Sequence, residues 1–283
     1  MENEQLTFEF QERPTIKGFP ELRWTGKRPY RSTQYYPAQL REQYGRSVNG
    51  WINKIFWGDN LQVMSHLLKE YRGKIQLIYI DPPFDSKADY KKKIEVKGMG
   101  KVETDSSSFE EKQYGDIWTN DEYLQFMYER LTLMRELLTE GGCIYVHCDW
   151  HKSHHIRMLL DEVFGAGNFV NEIIWHYADY MQGNATTSFP KKHDNIFFYS
   201  KTPKYYYERV KVPLDKPVKR NRVVWNGKTK TLEVARDEFG KIIYDEFTDR
   251  YLDAVWEEDV LNIGQTSVTR ETSSECLGYP CLL

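Results

Sequence analysis

Apolar positions along this chain fall into short strand-like runs separated by longer blocks with helical spacing. The run Lys74-Ile75-Gln76-Leu77-Ile78-Tyr79-Ile80 is almost continuously apolar, the pattern of a buried strand, and Asp81-Pro82-Pro83-Phe84 ends it. Upstream, Ile52 to Trp57 predicts another strand closing on Gly58-Asp59-Asn60, followed by a helix with Leu61, Met64, Leu67 and Leu68 on one face. Asn120 or Asp121 is placed to cap a second helix whose stripe is Leu124, Met127, Tyr128, Leu131, Met134 and Leu138. Gly141-Gly142 stops that helix, and Cys143 to His147 returns as a strand. A helix from about His151 to Phe164 and strands at Asn171 to His176 and Asn195 to Ser200 complete the pattern. Strands alternating with helices predict an α/β fold built on a doubly wound, mainly parallel sheet.

In such sheets, ligands bind beyond the carboxyl ends of the strands, where Asp81 falls. Two consecutive prolines fix the backbone and remove two donors, leaving carbonyls able to accept from outside the chain, with the Phe84 ring behind them. A carboxylate, bare carbonyls and an aromatic face suit a flat amine. Asp59 puts a second carboxylate on the same rim of the strand-helix-strand unit.

The chain has 283 residues and 40% hydrophobic content, enough for a full-sized core. It holds no run of 18 apolar residues, and Met1 to Phe10 is acidic without an apolar signal core, so the expected location is the cytoplasm. Cys143, Cys148, Cys276 and Cys281 form no disulfide framework. His147, Cys148, His151, His154 and His155 raise a zinc reading, but adjacent strand residues point to opposite faces and no second ligand pair follows. The net charge of -3 conceals an asymmetry. Lys201 to Lys230 carries ten Lys/Arg against Glu208 and Asp215, while Thr231 to Leu283 has four basic and twelve acidic residues. Phosphates respond to such local patches more than to the total.

Read in order, several segments resemble the amino-group DNA methyltransferases. These are Trp57-Gly58-Asp59-Asn60, Ile80-Asp81-Pro82-Pro83-Phe84, Gly141 to Asp149, Asn171-Glu172-Ile173-Ile174-Trp175, His193 to Lys201, and Gly278-Tyr279-Pro280. The set is most similar to the β-class adenine-N6 enzymes, including the modification subunits of type III restriction systems, and covers about Val48 to Pro280. The resemblance implies an S-adenosylmethionine-dependent fold and methyl transfer to a flipped adenine in duplex DNA. Asp81, Pro82, Pro83 and Phe84 would then grip the target amine and base. Asp59 and Asn60 would face the cofactor, and Trp175 and Tyr177 would wall the base. DNA contacts are expected from Lys91, Lys92 and Lys93 in the long loop Asp85 to Asn120, and from Lys201, Lys204, Lys219, Arg220 and Arg222. Cytosine-N4 methylation and a non-catalytic DNA-binding or assembly subunit are the alternatives.

The expected organisation is an extension over residues 1–48 wrapped across the main domain, a catalytic part over 49–200, a target-recognition region over 201–262 and a junction over 263–283. The family continues from Gly-Tyr-Pro through Thr-Gln-Lys-Pro to a Phe-x-Gly-x-Gly turn that holds the donor's methionine, whereas here Cys281-Leu282-Leu283 follows Pro280. The expectation is an incomplete sheet whose central strands become edges, and a cofactor site lacking its methionine half. The isolated chain would then bind S-adenosylmethionine poorly and methylate undetectably. Expected partners are double-stranded DNA and, beside it, a restriction subunit, a second copy or a complementing fragment.

Overall fold

The computed structural model describes residues 6–11, 21–82, 120–176, 189 and 191–257, and the backbone path of 89–93 and 110–115. Pro83, Phe84, Tyr177 and the Gly278-Tyr279-Pro280 segment lie outside the described residues. Two compact units are present, Tyr207–Ala254 and the remainder of the chain.

The larger unit is organised by a five-stranded sheet. Its members are β3 (Ile75–Ile80), β6 (Leu138–Cys148), β7 (Phe169–His176), β8 (His193–Ser200) and β13 (Val255–Glu257), in the order β13-β7-β8-β6-β3. The outer pairings, β13 with β7 and β3 with β6, are parallel. β8 runs antiparallel to both of its neighbours, so strand directions are mixed. The helices are α1 (Asn60–Tyr71), α2 (Asn120–Leu137) and α3 (Ser153–Leu160), the last running on through a wide turn to Gly165. No helix among the described residues is long and apolar enough to cross a membrane.

Alternation along the strands sorts the sheet into two chemically different faces. Ile78, Ile80, Ile144, Val146, Cys148, Phe197 and Tyr199 join one core cluster with Met64 and Leu68 of α1, Leu124, Met127, Leu131 and Met134 of α2, and Ile156 and Leu159 of α3. The amphipathic stripes read from the sequence therefore all cover the same face. The intervening residues, Tyr79, Tyr145, His147, Asp194 and Phe198, fall on the other face by alternation. There Tyr145 stacks on Phe198 with centroids 4.4 Å apart.

Three expectations change in detail. Ile52 to Trp57 forms no strand: with no neighbour to pair with among the described residues, it runs as irregular backbone, and Ile55 and Trp57 are 99% and 83% exposed. Gly141-Gly142 does not end α2, which stops at Leu137; the pair sits in a bulge where β6 shifts register against β3. A Cβ on Gly142 would lie 3.0 Å from the Ile75 carbonyl and 3.1 Å from that of Thr139, so the bulge requires glycine. The long loop after the prolines contains an antiparallel hairpin, β4 (Asp89–Lys93) with β5 (Glu110–Gly115). Among the described residues β3 stands at the end of the sheet, with Leu77 half exposed.

The N-terminal segment packs on the helices. Phe10 and Trp24 enter the core cluster, Lys27 lies over the Trp24 ring and pairs with Glu162 at 2.7 Å, and β1 (Thr7–Glu9) pairs with β2 (Ser32–Gln34). Gln125 of α2 ties this segment down. Its amide oxygen accepts from Trp24 Nε1 and from the Arg28 backbone N–H, and its amide nitrogen donates to the Arg28 carbonyl.

The smaller unit is all β. β9 (Lys211–Asn221) pairs antiparallel with β12 (Tyr244–Tyr251), and β10 (Val223–Asn226) with β11 (Thr231–Val234). Cross-strand partners Val223 and Val234, and Trp225 and Leu232, share one face of the second pair, and all four are exposed.

Truncating Gln125 to Ala strands three polar groups of the N-terminal segment in a half-buried environment. A decrease in stability of about 1–3 kcal/mol is expected. Thermal denaturation measures it, and limited proteolysis between residues 21 and 36 should accelerate in step.

Candidate active site

β3 delivers Asp81 to its carboxyl end, beside the end of β6, because the register pairs Tyr79 with Tyr145 and Ile80 with Val146. His147 is the next residue of β6 and lies on the face away from the helices. Its Nδ1 is 3.0 Å from the Tyr79 hydroxyl and 3.8 Å from Asp81 Oδ1, and its Nε2 is 3.0 Å from Asp194 Oδ2 on β8. The Trp175 ring on β7 packs against the imidazole, centroids 5.4 Å apart. Four strands thus converge on one carboxylate.

That carboxylate is unevenly solvated, the side chain being 32% exposed while one of its oxygens is buried. Asp81 Oδ1 is buried and accepts no hydrogen bond from any described residue. Burial raises the pKa of the Asp81 carboxyl above its ordinary value, His147 opposes the shift, and the negative charges of Asp194 and Asp149 add to it. The Tyr79 hydroxyl is likewise pushed well up, by burial first and then by Asp81 and Asp194, so it remains a neutral donor. An acceptor held out of water without an internal donor is arranged for a donor from outside the chain.

Asp59 sits at the head of α1, where its Oδ1 accepts from the Leu61 and Gln62 backbone N–H groups. Its Oδ2 pairs with Arg130 Nη2 at 3.2 Å, and Arg130 Nε donates to Asn60 Oδ1. Burial lowers the Arg130 pKa to about 10 against the pull of Asp59 and Glu129. Asn60 is buried and committed to Arg130; the Asp59 carboxylate stays about half exposed. Of the expected pair, Asp59 alone presents itself to solvent.

The expected DNA contacts divide. Lys201 is a correction: its Nζ donates to the Leu138 carbonyl at 2.7 Å and pairs with Glu140, and only 14% of the side chain is exposed. It braces β8 against the bulge of β6. Arg222 is held by Asp245 in a bidentate pair, with Nη2 to Oδ1 at 2.6 Å and Nε to Oδ2 at 3.2 Å. Lys204, Lys219 and Arg220 are exposed. Register sets Arg220 opposite Asp245 and Lys219 opposite Glu246, so the basic and acidic halves of the sequence meet across β9 and β12. The Tyr207–Ala254 unit consequently carries eleven Lys/Arg against nine Asp/Glu, a far milder excess than its first half alone. Lys91, Lys92 and Lys93 fall on the backbone path of β4, and their side chains lie outside the described residues.

Sequence reasoning misses Tyr79, His147 and Asp194 as site residues. Their signal is a polar residue in each of three apolar strands, on the side of the alternation opposite the core. The neighbouring histidines are otherwise engaged, His151 with Asp149 and His154 against His155.

A family model for DNA methylases matches residues 75–271. The type II methyltransferase M.EcaI of Enterobacter cloacae is 36% identical over 165 residues, 58% of this chain and 32% of that protein. The EcoPI Mod subunit of a type III restriction-modification enzyme, from Escherichia phage P1, is 31% identical over 169 residues, 53% of this chain and 24% of its own length. The EcoP15I Mod subunit of Escherichia coli is 28% identical over 163 residues, 51% and 23% respectively. The matches thus span about a quarter to a third of these relatives. Among solved structures, the M1.HpyAVI complex with SAM is similar at 14% identity and a TM-score of 0.34, over 53% of this chain and 54% of that one. The matched stretch runs from β3 past β13 and contains Asp81, His147, Trp175 and Asp194, and on that match this chain belongs to the DNA methylase family of the N6/N4 type.

Proposed function

We propose that this chain methylates the exocyclic N6 amine of adenine at specific sites in duplex DNA, with S-adenosylmethionine as donor. The observation that carries the reading is the buried Asp81 Oδ1 at the sheet's carboxyl rim, without an internal donor. An adenine amine is a poor nucleophile because its lone pair is delocalised into the ring. Accepting its N–H hydrogens at Asp81 and the Pro82 carbonyl draws that lone pair out of conjugation and toward the methyl group. The base must leave the stack to reach such an acceptor. Trp175 stands beside the cluster to take its face, as Phe84 and Tyr177 would, an interaction worth ~1–3 kcal/mol per base.

The donor supplies an electrophilic methyl on sulfonium sulfur when bound. Asp59 would hold it, a reading supported by a carboxylate half exposed at the head of α1 with lone pairs beyond those used for the cap and for Arg130. Cytosine N4 is the second reading, because the family spans both amines and the acceptor geometry serves either. Aspartate at position 81, where serine is the commoner residue in the N4 enzymes, favours adenine. The Mod names of the relatives support a place in a restriction-modification system, with a restriction subunit as partner.

Incubating duplex DNA with the protein and a deuterated-methyl donor, then analysing nucleosides by mass spectrometry, tests the reading. Labelled N6-methyladenine is expected, and its appearance would set aside the expectation, read from the sequence, that the isolated chain methylates undetectably. Labelled N4-methylcytosine would establish the second reading instead, and absence of any labelled amine would overturn both.

Asp81→Asn keeps the shape and removes the charge, so methyl transfer should fall by about 10²–10³-fold. The raised pKa adds a stability test with a definite sign. The folded protein binds a proton at Asp81 more readily than the unfolded chain, so Asp81 costs stability as pH rises from the ordinary carboxylate range through the raised folded value. Asp81→Asn should therefore melt higher than wild type at neutral pH, and the advantage should vanish in acid.

Replacing Lys219 and Arg220 together by Ala should lower the slope of log affinity against log salt by about 0.9 for each phosphate that the pair neutralises. Lys201→Met should leave that slope unchanged while lowering the melting temperature, because its ammonium is spent inside the domain. Duplex binding titrated over a salt series distinguishes them.

A further inference from the structure

The imidazole of His147 stands beside Asp81, with Nδ1 3.8 Å from Oδ1, yet it does not hydrogen-bond to that oxygen. The reason lies on its other sides. A carboxylate at Asp194 offers acceptors only, so the 3.0 Å contact at Nε2 requires the imidazole to carry its proton there. Nδ1 is then a lone pair, and the Tyr79 hydroxyl at 3.0 Å donates to it. In the opposite tautomer or in the cation, Nδ1 would carry a hydrogen within a small rotation of Asp81 Oδ1. The side chains are closely confined, with His147 9% and Asp194 15% exposed, and the Trp175 ring limits rotation of the imidazole.

We propose that Tyr79 and Asp194 lock His147 as the neutral, Nε2-protonated tautomer, so that no proton on Nδ1 captures Asp81 Oδ1 and the oxygen is kept for the amine of the target base. His147 is on this view a positioning residue that acts by withholding a hydrogen bond. The inference rests on the amine-methylation reading and adds to it a pH-sensitive gate. When the imidazole takes a second proton, Nδ1–H competes with the substrate amine for the oxygen that activates it. Among the described residues, the titratable groups facing His147 are Tyr79 and Asp81 from the β3 side, Asp194 from β8, and Asp149 just beyond β6; β7 contributes the uncharged Trp175 ring. Burial of Asp81 Oδ1 strengthens the device, because a poorly solvated oxygen would take up a nearby donor readily.

A purely structural role for the Asp194-His147-Tyr79 chain, satisfying a buried histidine, predicts the same tautomer but no dependence of methyl transfer on it. The test therefore combines the tautomer with catalysis. In protein labelled with ¹⁵N at histidine, long-range ¹H–¹⁵N correlation at pH 8 should show His147 protonated at Nε2 and bare at Nδ1. Finding the Nδ1–H tautomer or the imidazolium at that pH would overturn the proposal whatever the enzyme's activity, so this arm is independent of the functional reading.

Asp194→Asn is the matching variant, since its amide can donate to Nε2 and favour a proton on Nδ1. It should shift the His147 signals to the Nδ1–H pattern and reduce methyl transfer at pH 8 by at least about tenfold, the effect of one missing hydrogen bond of ~1.4 kcal/mol. Asp194→Glu, which keeps an acceptor at Nε2, should retain the wild-type tautomer and recover most of the rate. Where the same spectra show His147 taking a second proton, the wild-type rate should fall in step. A tautomer flip in Asp194→Asn at undiminished rate, or a wild-type rate indifferent to His147 protonation, would overturn the proposal while leaving the methyltransferase reading standing. Absence of methyl transfer by wild type would instead count against that reading.

Discussion

The arrangement depends on one constraint, a carboxylate at the end of a strand with one oxygen, Oδ1, kept from water and without a hydrogen bond from the described residues around it. Desolvating a charged group is expensive, and a fold tolerates it only where the surrounding structure holds the group in place. Here β3 carries Asp81 and the parallel register with β6 sets His147 beside it. β8 and β7 add Asp194 and Trp175 from the same face. The helices act from the opposite side. α1, α2 and α3 pack on one face of the sheet, and Tyr79, His147 and Asp194 lie on the other, beside the buried Ile196 and Phe198.

This division explains why the cluster consists of alternating residues in strands that are otherwise greasy. Val146 and Cys148 face the helices and His147 faces away; Ile78 and Ile80 do the same on either side of Tyr79. A one-residue slip of β3 against β6 would exchange the faces, burying Tyr79 under the helices and exposing Ile80. The bulge at Gly142, where a side chain would meet two carbonyls, fixes that register, and Lys201 braces it by donating to Leu138. The residue expected to touch phosphate is thus one that braces the strands carrying the candidate site.

Much of this is readable from residues alone because it rests on local signals. Apolar spacing locates α1 and α2, and the Asp-Pro-Pro break locates the rim. What escapes the sequence depends on distant pairing. Ile52 to Trp57 has the composition of a strand but no partner among the described residues, and a strand without a ladder is only extended chain. The antiparallel sense of β8 follows from its insertion between β6 and β7, which no periodicity encodes. The charge asymmetry misleads for the same reason, since β9 and β12 fold the basic and acidic stretches against each other. Asp59 shows the converse. Its place before a helix is evident, yet the second carboxylate oxygen is used by Arg130, 71 residues away.

On the proposed reading Asp81 is the acceptor for a substrate amine, with a buried Oδ1 that accepts from no described residue. A ¹³C carboxyl titration of Asp81 in the folded protein measures that property most directly. The expected midpoint lies above the ordinary aspartate range, and it should shift toward that range in His147→Lys, where a cation stands beside the carboxylate. A wild-type midpoint at or below the ordinary range would show that Asp81 is solvated or already hydrogen-bonded, and would contradict the role assigned to it.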